Sequence, residues 1–323
     1  MNFLLRRLGH GLALLVAVSV LSFAMAELAP GDYLTDLQLN PAVSQETLGM
    51  LRERYGLDES LPVRYLRWVE SILRGDLGFS VAHQAPAAAL LLPRARNTLG
   101  LGFVALVLTW LVSVPLGVWS AYRPNGLLDR AAGWLSSLLL ATPTIVLGLA
   151  FLLLAARVDF LPTGGMTSLD FEDMNWGARM LDRVSHLALP VLALALGGFP
   201  VVFRHTRSAL GEVVEAPYLK AARAQGVGTP RLLFAHALKA AANPLVSLFG
   251  LSVAGLLSGS LIIEVIMDWP GLGPLLIESI LARDAHVVVG AVLLSSVFLI
   301  GGNLLADVML VWLDPRIRKA IRE

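Results

Sequence analysis

The sequence predicts an all-α polytopic membrane protein with six transmembrane helices and a small helical segment on the outer face. Three observations carry this. Of the 323 residues, 56% are hydrophobic and only 15% charged, against about 45–50% and about 25% in soluble domains. Six stretches are long and uncharged enough to span a bilayer. The short segments between them divide their basic residues unevenly between the two sides. There is no cysteine, which excludes a disulfide framework, a thiolate metal site and a cysteine nucleophile. The net charge of +1 gives no basic signal for nucleic acid.

A spanning helix needs roughly 20 apolar residues, because the hydrocarbon core is about 30 Å thick and each residue rises about 1.5 Å. The gaps between charged residues enclose 19 positions from Arg7 to Glu27, 26 from Arg96 to Arg123 and 26 from Arg130 to Arg157. They enclose 20 from Arg183 to Arg204, 24 from Lys239 to Glu264 and 22 from Asp284 to Asp307. The Asp76–Arg94 gap holds 17 residues but contains His83, Gln84, Pro86 and Pro93. It is not read as a span, and Ala87 to Leu92 is placed at the interface. Arg6, Arg7 and Ala24-Met25-Ala26 imitate a cleavable signal peptide, but the apolar run exceeds the roughly 7–15 residues of a signal core. A retained anchor is therefore expected. Pro115, Pro143, Pro190 and Pro200 lie within spans and predict kinks.

With the N-terminus inside, the inside segments hold 14 cations and 5 acids, and the outside segments 11 cations and 18 acids. This is the positive-inside bias, and it puts both ends on the inner face. The reading divides the chain into an N-terminal helix at 1–28, an outer segment at 29–96 and a five-helix core at 97–323. In the outer segment, Leu48 to Arg54 and Val63 to Leu73 carry apolar residues at helical spacing, with Pro62 suited to a first turn. The second outer segment, about 157–183, reads mostly as loop.

The inside segment 205–243 predicts helix, turn, helix. An alanine-rich run ends at Gly226 and Gly228, which supply a helix stop. Thr229-Pro230 then restarts the helix as N-cap and first helical residue. Taken alone, the pattern also suits a surface helix held on anionic lipid.

Tyr218-Leu219-Lys220-Ala221-Ala222-Arg223-Ala224-Gln225-Gly226, with His236-Ala237-Leu238-Lys239 and Pro244, resembles the cytoplasmic signature of binding-protein-dependent ABC importer permeases. The general signature is Glu-Ala-Ala, three residues, Gly. Here Lys220 stands where the glutamate would be, a departure shared with the peptide and nickel branch. Ala240 stands where that branch would have asparagine. Leu28-Ala29-Pro30-Gly31-Asp32, Leu73-Arg74-Gly75-Asp76-Leu77-Gly78 and the run from Glu264 through Trp269-Pro270-Gly271-Leu272-Gly273 resemble further family motifs. So do Asn303, Asp307 and Leu313-Asp314-Pro315-Arg316. The chain is most similar to the first permease subunit of dipeptide, oligopeptide, glutathione or nickel importers.

The resemblance implies a type I ABC importer permease fold in a bacterial inner membrane. It further implies a homologous second permease as heterodimer partner, two ATP-binding subunits and a periplasmic or lipid-anchored solute-binding protein. No phosphate loop of the form Gly-x-x-x-x-Gly-Lys-Ser/Thr occurs, so ATP and Mg are expected on the separate ATPases, with no cofactor in this chain. A coupling helix at 215–226 would use Glu215, Tyr218, Lys220, Ala221, Ala222, Arg223 and Gly226. Ala221, Ala222 and Ala224 are small and are expected to let the partner surface come close. Glu264, Trp269, Pro270, Gly271 and Gly273 would form an outer gate or pathway lining. For Glu264 the alternative is an interfacial acid hydrated at the headgroups, and for Trp269 an aromatic-belt anchor. Asn303 and Asp307 share a helix face and are read as structural, beside Gly301-Gly302, which permits close helix packing.

The six histidines are scattered and form no metal-ligand set. No catalytic residue is predicted, and the chain is expected to be a translocase subunit, not an enzyme. A secondary transporter or channel subunit is the alternative function, although the sequence lacks paired discontinuous spans with acids in both halves.

Overall fold

The computed structural model describes residues 2–28, 59–80, 82–158 and 160–313. The expected helix at Leu48 to Arg54, the 29–32 motif and the 314–316 motif lie outside these. The described elements are α1 (Asn2–Leu28), α2 (Leu61–Leu73), β1 (Phe79–Ser80), β2 (Ala85–Pro86), α3 (Ala87–Tyr122), α4 (Leu127–Ala141) and α5 (Thr144–Ala155). They continue with α6 (Trp176–Val214), α7 (Pro217–Ala224), a helical run α8 over 229–240, α9 (Ala242–Ile266), α10 (Leu272–Leu281) and α11 (Ala285–Leu313). The strands form a minimal antiparallel hairpin with Phe79 opposite Pro86.

Five helices are long and apolar enough to cross a membrane, and six spans result if the bent pair α4–α5 is one of them. That pair turns by 102° at Thr142 and Pro143, both extended. The residue before proline is driven out of the helical region, and a kink at Pro143 is the expectation that the structure bears out. The other three prolines behave differently: α3 runs through Pro115, and α6 runs through Pro190 and Pro200. Two boundaries also shift. Ala87 to Leu92, expected at the interface, is the first part of α3. The 157–183 segment already becomes helix at Trp176, where the Asn175 side chain accepts from the Ala178 amide at 2.9 Å and serves as N-cap. With 39 residues, α6 is about 58 Å long at 1.5 Å per residue, nearly twice the hydrocarbon thickness.

The chain packs as two compact units. One is built from Leu99–Trp269 with Met1–Leu8 and Leu299–Glu323, the other from Gly9–Thr98 and Pro270–Phe298. In the first unit, an apolar cluster at one end of α6 includes Leu101, Leu189, Leu194, Ile263, Met267 and Trp269. Phe199 and Phe203 stack at 5.3 Å against Ala132 and Leu139 in the middle. Val118, Leu210, Leu219, Leu233 and Leu245 form a third cluster beneath the 205–243 segment. Small residues set the helix spacing: a Cβ on Gly302 would lie 2.4 Å from a Val253 methyl, so only glycine admits this approach of α11 to α9.

In the second unit, Phe23, Trp68, Val289 and Leu293 make one apolar cluster. Ser80 Oγ donates to Asp284 at 2.5 Å and ties the hairpin to the start of α11. The Leu272 amide donates to Thr98 Oγ1 at 2.8 Å and ties α10 to α3.

Candidate functional site

The 205–243 segment holds a short helix defined at both ends by local chemistry. After α6 stops at Val214, Ala216 is extended and Pro217 occupies the first helical turn of α7, where its missing N–H and fixed φ cost nothing. At the other end the Val227 amide donates to the Ala222 carbonyl at 3.2 Å and the Gly226 amide to the Arg223 carbonyl at 3.0 Å. With Gly226 at φ +85°, this is the Schellman pattern of helix termination. The helix is therefore 217–224, inside the expected 215–226, and the glycine stop lies where the sequence predicts it. The restart differs by one residue: Gly228 is the N-cap, and Thr229 begins α8. Residues 232–237 of α8 form a π-helical turn.

One face of α7 is locked into the unit. Leu219 is 2% exposed among Val118, Leu210, Leu232 and Leu233, and Ala222 packs against the same cluster. The other face presents Tyr218, Lys220, Ala221, Arg223, Ala224 and Gln225 to the outside. Ala222 thus faces inward, and the small residues open to a partner are Ala221 and Ala224. Lys220 Nζ lies 2.7 Å from Glu215. Its ammonium, by hydrogen bond and charge, holds the Glu215 carboxyl below the usual glutamate range. The Arg223 guanidinium lies 5.5 Å from the centre of the Tyr122 ring at the end of α3, a cation–π distance.

A second set of polar contacts, for which the sequence carries no signal, braces the approach to this helix. Arg207 on α6 gives Asp129 on α4 two hydrogen bonds, Nε at 2.6 Å and Nη2 at 2.9 Å. Asp129 Oδ2 also accepts from the Asn125 amide at 2.8 Å, and Asn125 has φ +63°. One turn earlier, Arg204 reaches Ser136 and Ser137, each at 2.8 Å. These partners stand 67 to 78 positions apart, so no local spacing rule reveals them.

The residues expected at the outer gate fall in both units, and each group is defined within its own. Glu264 is fully buried at 0% exposure, so within this chain it is open neither to headgroup water nor to a pathway. Trp269 is 3% exposed inside the Leu101–Met267 cluster, so it is a core residue in place of a belt anchor. Its amide donates to the Glu264 carbonyl at 2.8 Å. In the other unit, the Pro270 carbonyl accepts from Asn97 Nδ2 at 2.8 Å. Gly271 is the extended N-cap of α10, and Gly273 is buried within it.

The intramembrane pair separates in role. Asp307 is buried and lies 3.5 Å from Arg7 of α1. Asn303 is exposed, with its side-chain oxygen 2.8 Å from where a Cβ on Gly250 would stand. Among the described residues, no group of three or more His, Asp or Glu is placed to hold a metal.

Comparison with known proteins adds to this geometry. Residues 113–319 match the family described as binding-protein-dependent transport system inner membrane component, and residues 1–94 match the N-terminal region described for such components. The chain is 35% identical over 317 residues to the oligopeptide transport system permease protein AppB of Bacillus subtilis, covering 98% of each chain. It is 32% identical over 335 residues to the dipeptide transport system permease protein DppB of Escherichia coli K12, covering 98% of this chain and 99% of the relative. A solved structure of the MetNI methionine ABC transporter in an inward-facing conformation is similar at a TM-score of 0.56 and 18% identity. The match covers 70% of this chain and 96% of that one, and it supports the fold.

Proposed function

Because the chain belongs to the family of binding-protein-dependent transport system inner membrane components, we propose that it is the first permease subunit of an ATP-driven peptide importer. It is an integral membrane protein that works with other transporter subunits. In the proposed assembly it pairs with a homologous permease to form half of the pathway. Two separate ATPases bind ATP and Mg, and a solute-binding protein delivers the substrate. The relatives named as oligopeptide and dipeptide permeases favour peptide as that substrate. The membrane is the bacterial inner membrane, with both termini cytoplasmic, as the distribution of basic residues predicts.

The observation that carries the coupling role is α7. It is an eight-residue helix, keyed to the unit by Leu219 and flanked by α6 and α8, with a small-residue and cationic face turned outward. A lever must be stiff, fixed on one side and accessible on the other, and α7 has all three properties. Tyr218, Lys220, Ala221, Arg223 and Ala224 are the proposed ATPase contacts. Glu215 and Gly226 shape the ends of the helix, and Ala222 seats it. Glu264 and Trp269 are proposed to hold the outer end of α9, and Pro270, Gly271 and Gly273 to position α10 near the docked solute-binding protein.

The test is peptide uptake and substrate-stimulated ATP hydrolysis by the reconstituted transporter carrying Arg223→Glu or Ala221→Trp. Both variants are expected to assemble and to lose at least tenfold in uptake, with stimulation abolished. Normal uptake and stimulation in an assembled complex would overturn the role.

A further inference from the structure

We propose that α2 lies in the membrane at acyl-chain depth, with Leu66 and Leu73 against lipid tails, and is not a cap standing in water. Three observations converge, all within one packing unit.

The first is depth. The cluster that holds α2 through Tyr65, Trp68, Val69 and Ile72 includes Leu15, Phe23 and Ala26 of α1. Tyr65 Oη is also hydrogen-bonded to Ser19 at 2.8 Å. These α1 positions cover about 16 Å of helix at 1.5 Å per residue, and all lie inside the uncharged stretch between Arg7 and Glu27. The same cluster takes Val289 and Leu293 from α11, five and nine residues beyond Asp284. That is about 7 and 14 Å into the span. A helix whose partners all sit at this depth lies beside the spans, within the bilayer's outer layers.

The second is the width of the apolar face. At about 100° per residue, Trp68, Ile72, Tyr65 and Val69 cover about 100° and account for the packed face. Pro62, Leu73 and Leu66 continue the apolar arc by about another 60°. That continuation is bare: Leu66 is 65% exposed and Leu73 82%. Protein covers only part of what the helix has to bury.

The third is charge placement. Glu70, Arg74, Arg67, Ser71 and Arg64 fill the opposite arc, with Val63 the apolar member among them. Glu70 pairs with Arg74 at 2.5 Å and Glu59 with Arg67 at 2.6 Å. An amphipathic helix with arginines along its polar margin settles with that margin at the headgroups and its apolar side about 5–10 Å into the boundary with the acyl chains. The lipid fits the bare arc because it is already present at the depth the α1 contacts define.

The sequence has no cysteine, so single-cysteine nitroxide labels read this directly. The labels go on the complete transporter in phosphatidylethanolamine–phosphatidylglycerol liposomes, using Leu66→Cys and Leu73→Cys, with Arg67→Cys and Glu70→Cys as controls. The expected result is that molecular oxygen relaxes the labels at 66 and 73 several-fold more than a water-soluble nickel chelate does, with the order reversed at 67 and 70. Preferential relaxation by the chelate at 66 and 73 would overturn the proposal by placing them in water. Exclusion of both reagents there would overturn it by placing another protein on the face. Quenching of a fluorophore at position 66 by lipids brominated on their tails is a second measure, and its absence counts against the proposal.

Discussion

The Asp129–Arg207 pair is asymmetric, and its asymmetry is testable. Asp129 is buried, whereas the Arg207 side chain is close to half exposed. Removing the carboxylate leaves a guanidinium that still reaches water, so Asp129→Ala is expected to cost about 1–2 kcal/mol. Removing the guanidinium strands a buried carboxylate, so Arg207→Ala is expected to cost about 3 kcal/mol. Thermal unfolding of the purified transporter should rank them in that order, and Asp129→Asn in the Arg207→Ala background should recover part of the loss. The Glu215–Lys220 contact behaves differently. Its folded carboxyl titrates below the usual range, so its contribution is complete at neutral pH and fades only as pH falls through that depressed value. Uptake compared between wild type and Lys220→Gln should therefore show no difference in pH profile between about pH 6 and 8, where neither carboxyl state changes. At this scale the sequence is least informative. Lys220, Arg223 and Gly226 are legible from a motif. Asp129 and Arg207 meet only because α4 and α6 pack together, and that pairing leaves no trace in either local sequence.

At the scale of elements, glycine positions make sharp contrasts. A Cβ at Gly302 collides with Val253, whereas one at Gly301 meets nothing within 4 Å. Gly302→Val is expected to destabilise the α9–α11 packing by about 2–3 kcal/mol, and Gly301→Val to leave the thermal midpoint of the subunit near wild type. Gly226→Ala places a side chain at φ +85° and is expected to cost about 1 kcal/mol. The helix stop weakens, so coupled ATPase stimulation should fall while assembly persists. Charge-free gaps locate the spans because hydrocarbon excludes charge: five match single long helices, and the sixth, from Arg130 to Arg157, matches the bent pair α4–α5. They do not locate helix ends, since a helix continues past the bilayer wherever caps and packing allow. α6 overruns its 20-residue gap on both sides for that reason. Proline gives the same lesson: Thr142-Pro143 breaks its helix, while Pro115, Pro190 and Pro200 are accommodated within packed helices, and the sequence marks all four alike.

For the whole molecule, the contact between the first and last helices decides what Asp307 does. Its carboxylate meets Arg7 at 3.5 Å, a loose pair with a half-exposed arginine, worth at most about 1 kcal/mol. Asp307→Asn is expected to lower the thermal midpoint slightly while uptake remains within about twofold of wild type, a change of roughly 0.4 kcal/mol. A large loss of uptake at unchanged stability would instead assign it to the pathway. Segments 205–240 show how motion can pass through such a molecule. α7 is terminated by its own residues at both ends, so its shape owes little to whatever docks on it. Ala216 precedes it and Gly228 precedes the next helix, each a single extended residue. Helical pieces joined by short turns, residues 215–216 before α7 and 225–228 after it, form a linkage. In the proposed coupling role, a pull on the outer face would reach the neighbouring helices through these two turns and through the buried Leu219 contact, with no helix having to unwind.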